Sequence, residues 1–167
     1  MLDRSLFAGL DDLDGHATDP ETFALLFEVL TYVRPHVIVE AGTYRGHFAF
    51  GAARLLPEAR VFSSDIVKAD CGRPATPANL TLFVGDFEAM LATLTEAPDF
   101  AFVDSGGGDE EGVRLRHWRA AQAGVRVGGL VACHDTLADG WMGGREIGGQ
   151  GVRLQGGRGL TLWQRKS

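Results

Sequence analysis

Cysteine is scarce in this 167-residue chain: there are two, Cys71 and Cys133, far apart in the sequence. That speaks against a disulfide framework or a paired-cysteine metal site, and two free thiols in a reducing cytoplasm are the expectation. Clustered positive charge is missing too: formal net charge is −6 and no Lys/Arg block occurs. Long nucleic acid and anionic membranes are therefore poor partners, since both demand a basic surface. No apolar run reaches the roughly 18–20 residues that span a bilayer. The start, Met1-Leu2-Asp3-Arg4, lacks the basic and apolar regions of a signal peptide, so a cytoplasmic location is expected. Phosphate-binding signatures are absent as well. Gly42-Thr43-Tyr44-Arg45-Gly46 is not a G-x-G-x-x-G fingerprint, and no G-x-x-x-x-G-K-[ST] loop exists.

What is present is an ordinary globular composition, 45% hydrophobic and 23% charged, long enough for one domain over residues 1–167. Met1 to Pro20 reads as an arm or a short helix. Asp19-Pro20-Glu21 supplies an N-cap, a proline at the first helical position and an early acid. The helix that follows, Glu21 to Val33, repeats Phe23, Leu26, Phe27, Leu30 and Val33 at helical spacing and stops at Arg34-Pro35. Strand-like runs then appear at Val37–Glu40, Val61–Asp65, Leu80–Val84, Phe100–Asp104 and Gly129–His134. Helical stretches Gly46–Leu56, Phe87–Leu94 and Glu110–Ala123 separate most of them. Apolar strands alternating with helices imply an α/β fold with a mostly parallel sheet covered on both faces. Gly151–Leu154 and Gly159–Gln164, around a turn at Gly156-Gly157, read as an antiparallel hairpin.

Carboxylates gather where these strands end. Glu40, Asp65, Asp104 and Asp135 terminate or directly follow four strands, and Asp86 follows another within Val84-Gly85-Asp86-Phe87. Open α/β sheets bind ligands beyond the carboxyl ends of their strands, although any one acid there could simply cap the next helix. A pyrophosphate beside Glu40 would meet like charge at short range. A cationic cofactor without phosphate suits the rim better, and S-adenosylmethionine carries a sulfonium, an ammonium and two ribose hydroxyls. Asp65 stands where an acid accepts from ribose. Asp86 could accept from the adenine amino group with Phe87 against the ring, and the turn glycines let backbone approach the cofactor.

Val39-Glu40-Ala41-Gly42-Thr43-Tyr44-Arg45-Gly46, Ser64-Asp65, Val84-Gly85-Asp86-Phe87, Phe100-Ala101-Phe102-Val103-Asp104 and Val127-Gly128-Gly129-Leu130-Val131-Ala132-Cys133-His134-Asp135 occur in the order found in class I S-adenosylmethionine-dependent methyltransferases. The chain resembles that family, and within it the compact small-molecule O-methyltransferases. The resemblance implies a Rossmann-like three-layer sandwich with a seven-stranded sheet whose last strand is antiparallel. It assigns Glu40 to the methionine ammonium, Gly42 and Gly46 to the turn beneath the cofactor, Asp65 to ribose, and Asp86 with Phe87 to adenine. Asp104 joins this cofactor-binding set, and Thr43 and Tyr44 either contact the cofactor from the loop or face solvent.

The catechol-type members hold a divalent cation on acids at the ends of strands four and five. The matching residues are Asp104, His134 and Asp135, a set able to take Mg²⁺ or a softer ion. Those members follow the first acid with a lysine base; here Ser105-Gly106-Gly107-Gly108 stands instead. His134 is then the expected base beside Asp104, or else it orients a neighbour. His117 is expected on a solvated helix face, and His47, which begins the helix after the glycine turn, ranks below His134 as a residue that could approach the cofactor. Trp141-Met142-Gly143-Gly144-Arg145 would either line the acceptor pocket or cover the sheet edge. The expected acceptor is a small molecule bearing a hydroxyl, with nitrogen or macromolecular acceptors and a non-catalytic binding role as alternatives. A nucleotide-dependent oxidoreductase is opposed by Glu40. With little chain to form a lid, a homodimer could supply one.

Overall fold

The computed structural model describes residues 3–10, 18–68, 75–106, 112–137, 147, 150–154 and 157–167. Cys71, Gly107, Gly108, Gly156 and the segment 141–145 lie outside them, so the readings placed on those residues have no structural counterpart here.

A short 3-10 helix, Arg4–Phe7, precedes α1, Pro20–Val33. The Asp19 carboxylate accepts the Thr22 amide at 2.9 Å to start α1, and Arg34 ends it in the left-handed region at φ 49°. Then follow β1 (Val37–Ala41), α2 (His47–Leu55), β2 (Arg60–Asp65), β3 (Leu80–Val84), α3 (Phe87–Thr93), β4 (Phe100–Val103), α4 (Val113–Gly124), β5 (Leu130–His134), β6 (Val152–Leu154) and β7 (Leu160–Gln164). They form one seven-stranded sheet in the order β3-β2-β1-β4-β5-β7-β6. The first five strands are parallel and β7 runs antiparallel to both β5 and β6, as the sequence pattern predicts. One boundary differs usefully. The fourth strand stops at Val103, which leaves Asp104 just past the sheet with its amide still bonded to Ala41 O at 2.9 Å. The fourth helix begins at Val113 behind Gly112 at φ 90°, and residues 110 and 111, where the sequence pattern starts it, lie outside the described residues.

Alternation along the strands divides the core in two. Ile38, Phe100, Phe102 and Ala132 face the aromatic cluster of Phe23, Phe27 and Phe48 from α1 and α2. Val39, Ala41, Ala101, Val103, Val131 and Cys133 face Met90, Trp118 and Ala121 from α3 and α4. Continuing that period by one step predicts the side on which the strand-end residues emerge. Glu40 follows Ile38, Asp104 follows Phe102 and His134 follows Ala132, so all three turn toward the start of α1. Not every acid belongs to that end. Asp99 lies at the opposite end of the sheet, where it accepts the His36 and Val37 amides, each at 2.8 Å, and pairs with Arg126.

A cleft beyond the strand ends

β1 lies between β2 and β4, so the chain crosses over here in opposite directions, the place where open α/β sheets form a crevice. A cavity of about 510 Å³ opens at this point. Glu40, Gly42, Thr43, Tyr44, Asp65, Phe87, Asp104 and Asp135 border it. Of the residues expected in the site, Gly46, Asp86 and His134 do not.

The turn after β1 is held by backbone. The Gly42 and Thr43 amides both bond to Ser64 O, at 2.9 and 3.1 Å, and Tyr44, left-handed at φ 46°, sends its amide to Asp65 Oδ2 at 2.8 Å. Gly42 sits at φ 98°, and a Cβ there would lie 2.5 Å from the Asp104 carbonyl oxygen. The missing side chain therefore makes room for the chain leaving β4. Gly46, at φ 81°, begins α2.

Glu40 is 2% exposed. Ser63 donates its hydroxyl to the carboxylate and is itself 2.6 Å from the Thr43 hydroxyl. Burial pushes the Glu40 carboxyl well above the usual carboxylate range; the Ser63 bond opposes that, and the negative fields of Asp104 and Asp65 add to it.

Asp86 has another task. It caps α3 by accepting the Glu88 amide at 2.9 Å and pairs with Arg116 at 2.7 Å. The Arg116 hydrogen bond holds its carboxyl far below the ordinary value. Asp86 does not itself border the cavity, whereas its neighbours Gly85 and Phe87 do.

His134 is wholly buried and held between carboxylates, with Nδ1 3.2 Å from Asp104 Oδ1 and Nε2 3.0 Å from Asp19 Oδ2. Burial alone would push its pKa down, but Asp104, Asp135 and Asp19 outweigh burial and raise it. With both ring nitrogens committed to carboxylates, His134 is a poor open base, and it holds Asp104 instead of bordering the cavity. Asp104 also accepts the Thr18 hydroxyl. Burial pushes the Asp104 carboxyl up, yet His134 and Arg114 together keep it below the usual range and ionised.

Arg114 is the largest omission of the sequence reading. Its side chain is 3% exposed. Nε donates to Ser105 O at 2.8 Å, Nη1 to His134 O at 3.1 Å and Asp135 Oδ2 at 2.9 Å, and Nη2 to Gly106 O at 3.2 Å. Nη2 also lies 3.6 Å from Asp104 Oδ1. Asp135 is left-handed at φ 61°, and its other oxygen lies 3.1 Å from Arg158 Nε. His117, expected in solvent, is 4% exposed, with Nδ1 2.7 Å from the Ser105 hydroxyl and Nε2 3.6 Å from Asp86, and burial lowers its pKa. The signal is in the sequence: Arg114, His117, Trp118 and Ala121 form an i, i+3, i+4, i+7 stripe, and that stripe is the buried face of α4. His47 borders the cavity, with its ring near those of Phe7 and Phe23.

Asp104, His134 and Asp135 bring one ligand atom each to within 4.8 Å of one another, close enough to surround a divalent ion. The donor set does not suit one as it stands. Both histidine nitrogens face carboxylates, and the Arg114 guanidinium already lies against both acids. A metal would have to share that space with a buried, permanent cation.

No protein-family profile and no curated protein sequence matches the chain. Solved structures do. The O-methyltransferase TomG from Streptomyces achromogenes, in complex with SAM, superposes with a TM-score of 0.71 at 18% identity over 100% of this chain and 92% of that one. An O-methyltransferase from Bacillus cereus in complex with SAH gives 0.71 at 17% identity, over 90% and 83%. A methyltransferase from Geobacter sulfurreducens gives 0.69 at 19% identity, over 99% and 98%. The chain has the Rossmann-like methyltransferase fold that these structures share.

Proposed function

We propose that the cleft binds S-adenosylmethionine and that the protein transfers its methyl group to the hydroxyl oxygen of a small molecule. The observation that carries this reading is Glu40: an acid buried among hydroxyls and other acids, at the strand end beside the cavity, is unfavourable until a cation arrives. The cofactor's ammonium is such a cation. Two of the similar structures are O-methyltransferases holding SAM or SAH, which supports the same reading. In it, Asp65 accepts from the ribose hydroxyls, Phe87 packs on adenine, and Thr43 with Tyr44 lines the loop beneath.

Methyl transfer is an in-line displacement, and alignment of nucleophile and sulfonium supplies much of the acceleration. Asp104 faces the cavity as a carboxylate and orients the acceptor hydroxyl. The oxygen becomes strongly acidic as its bond to the methyl carbon forms, so a weak base in the right place suffices to take the proton. His134 and Thr18 fix the Asp104 rotamer.

Incubation with methyl-labelled S-adenosylmethionine and a panel of phenols, sugars and amines tests the proposal. Label on an acceptor oxygen with release of S-adenosylhomocysteine is expected. Label on nitrogen would replace the acceptor class, and binding without turnover of any acceptor would reduce the protein to a cofactor-binding relative.

A further inference from the structure

The fold brings two acids and a histidine within reach of one ion, yet a guanidinium already lies against both acids. We propose that Arg114 fills the place of a divalent cation, so that the cleft works without metal and Arg114 is a positioning residue built into α4.

Geometry carries this assignment. The two loops that leave β4 and β5 carry Asp104 and Asp135, and each needs positive charge once buried. The guanidinium serves both at once, with one nitrogen 2.9 Å from Asp135 Oδ2 and another 3.6 Å from Asp104 Oδ1. Its remaining donors bind the carbonyls of Ser105, Gly106 and His134, which fastens the two loops to each other. A planar fork of five donors suits this task, whereas an ion would need those donors turned away. Arg158 lies 3.1 Å from the other Asp135 oxygen, and His134 lies 3.2 Å from Asp104. Two guanidiniums thus lie against Asp104 and Asp135. An Mg²⁺ or Mn²⁺ ion drawn to these two acids would meet the like charge of both guanidiniums.

One consequence rests on the methyl-transfer reading: an acceptor here need not chelate through two adjacent oxygens, so a lone hydroxyl is enough. The assignment of Arg114 itself does not depend on that reading.

Mn²⁺ alone is the probe, because the free ion gives a paramagnetic resonance signal that binding broadens. The wild-type protein is expected to leave that signal unchanged. Its unfolding temperature should also be the same in chelator as in about 1 mM Mn²⁺, whereas a bound ion in hundredfold excess over its Kd would raise it by several degrees. Arg114→Met, checked for folding by circular dichroism, is expected to take up Mn²⁺ at least about tenfold more tightly than wild type, since freed carboxylates and imidazole suit that ion. Asp104→Asn added to that variant should remove the gain. Uptake of Mn²⁺ by the wild-type protein, or a folded Arg114→Met that stays blind to the ion, overturns the proposal. If Arg114→Met does not fold, the two wild-type readouts decide. A wild-type protein that ignores both Mn²⁺ and S-adenosylmethionine would sink the methyl-transfer reading and leave this one standing.

Discussion

Glu40→Gln is expected to bind S-adenosylmethionine at least about 30-fold more weakly than the wild-type protein, the lower end of what losing one partner of a buried charge pair costs. The same variant should unfold at a higher temperature. The two effects have one cause. Without a ligand, burial and the nearby Asp104 and Asp65 oppose the charge on Glu40. Its folded-state pKa therefore lies above the unfolded one. The carboxyl is harmless below the ordinary carboxylate range, and stability is lost progressively as pH rises from that range through the raised folded value. Gln removes the penalty at neutral pH and still offers Ser63 an acceptor, so the melting temperature should rise by about 2–4 °C for each kcal/mol relieved. The bound ammonium reverses the sign, because opposite charges about 4 Å apart attract by roughly 4 kcal/mol at an effective dielectric near 20. Wild-type affinity should consequently increase with pH as Glu40 ionises, and that rise should vanish in the Gln variant. Calorimetry and thermal unfolding across pH 5–8 read both arms. A Gln variant that binds as tightly as wild type would remove Glu40 from the site.

Gly42→Ala is expected to lower the unfolding temperature by about 5–15 °C, from roughly 2–5 kcal/mol of combined backbone strain and overpacking. Two separable effects meet at this residue. Its φ of 98° is unfavourable for any side chain, and a new Cβ would sit 2.5 Å from the Asp104 carbonyl oxygen and 2.8 Å from its carbonyl carbon. Backbone at the end of β4 cannot step aside as a flexible side chain would. Gly112 supplies the control. It has φ 90° and no atom within 4 Å of where a Cβ would stand, so Gly112→Ala should show the strain alone, about 1–2 kcal/mol. Equal losses for the two variants would mean that contact with Asp104 contributes nothing.

The layered sheet was legible because β-branched strands and amphipathic helices alternate from Val37 onward, and because the closing pair at 152–164 is too close in sequence for a parallel crossover. Four of the five rim acids, Glu40, Asp65, Asp104 and Asp135, do border one cavity. Asp86 shows why a count of acids was not enough. A carboxylate before a helix can cap it or face a ligand, and only the position of Arg116 on α4 decides which. His134 illustrates a second limit. Its residue type suits a base, but its ring is held between Asp104 and Asp19, the latter more than a hundred residues earlier in the chain. No local pattern could place it. Arg114 and His117 were hidden for a different reason: the run of basic residues on α4 looks solvated until Trp118 is used to orient the helix, after which their burial follows.

Calorimetric titration of the wild-type protein with S-adenosylmethionine, and in parallel with NAD⁺, bears most directly on the claim that these acids cradle a cationic methyl donor. Saturable binding of the sulfonium compound, strengthening with pH, and no heat with the dinucleotide is the predicted result. Uptake of NAD⁺ by a folded protein that ignores S-adenosylmethionine would contradict it.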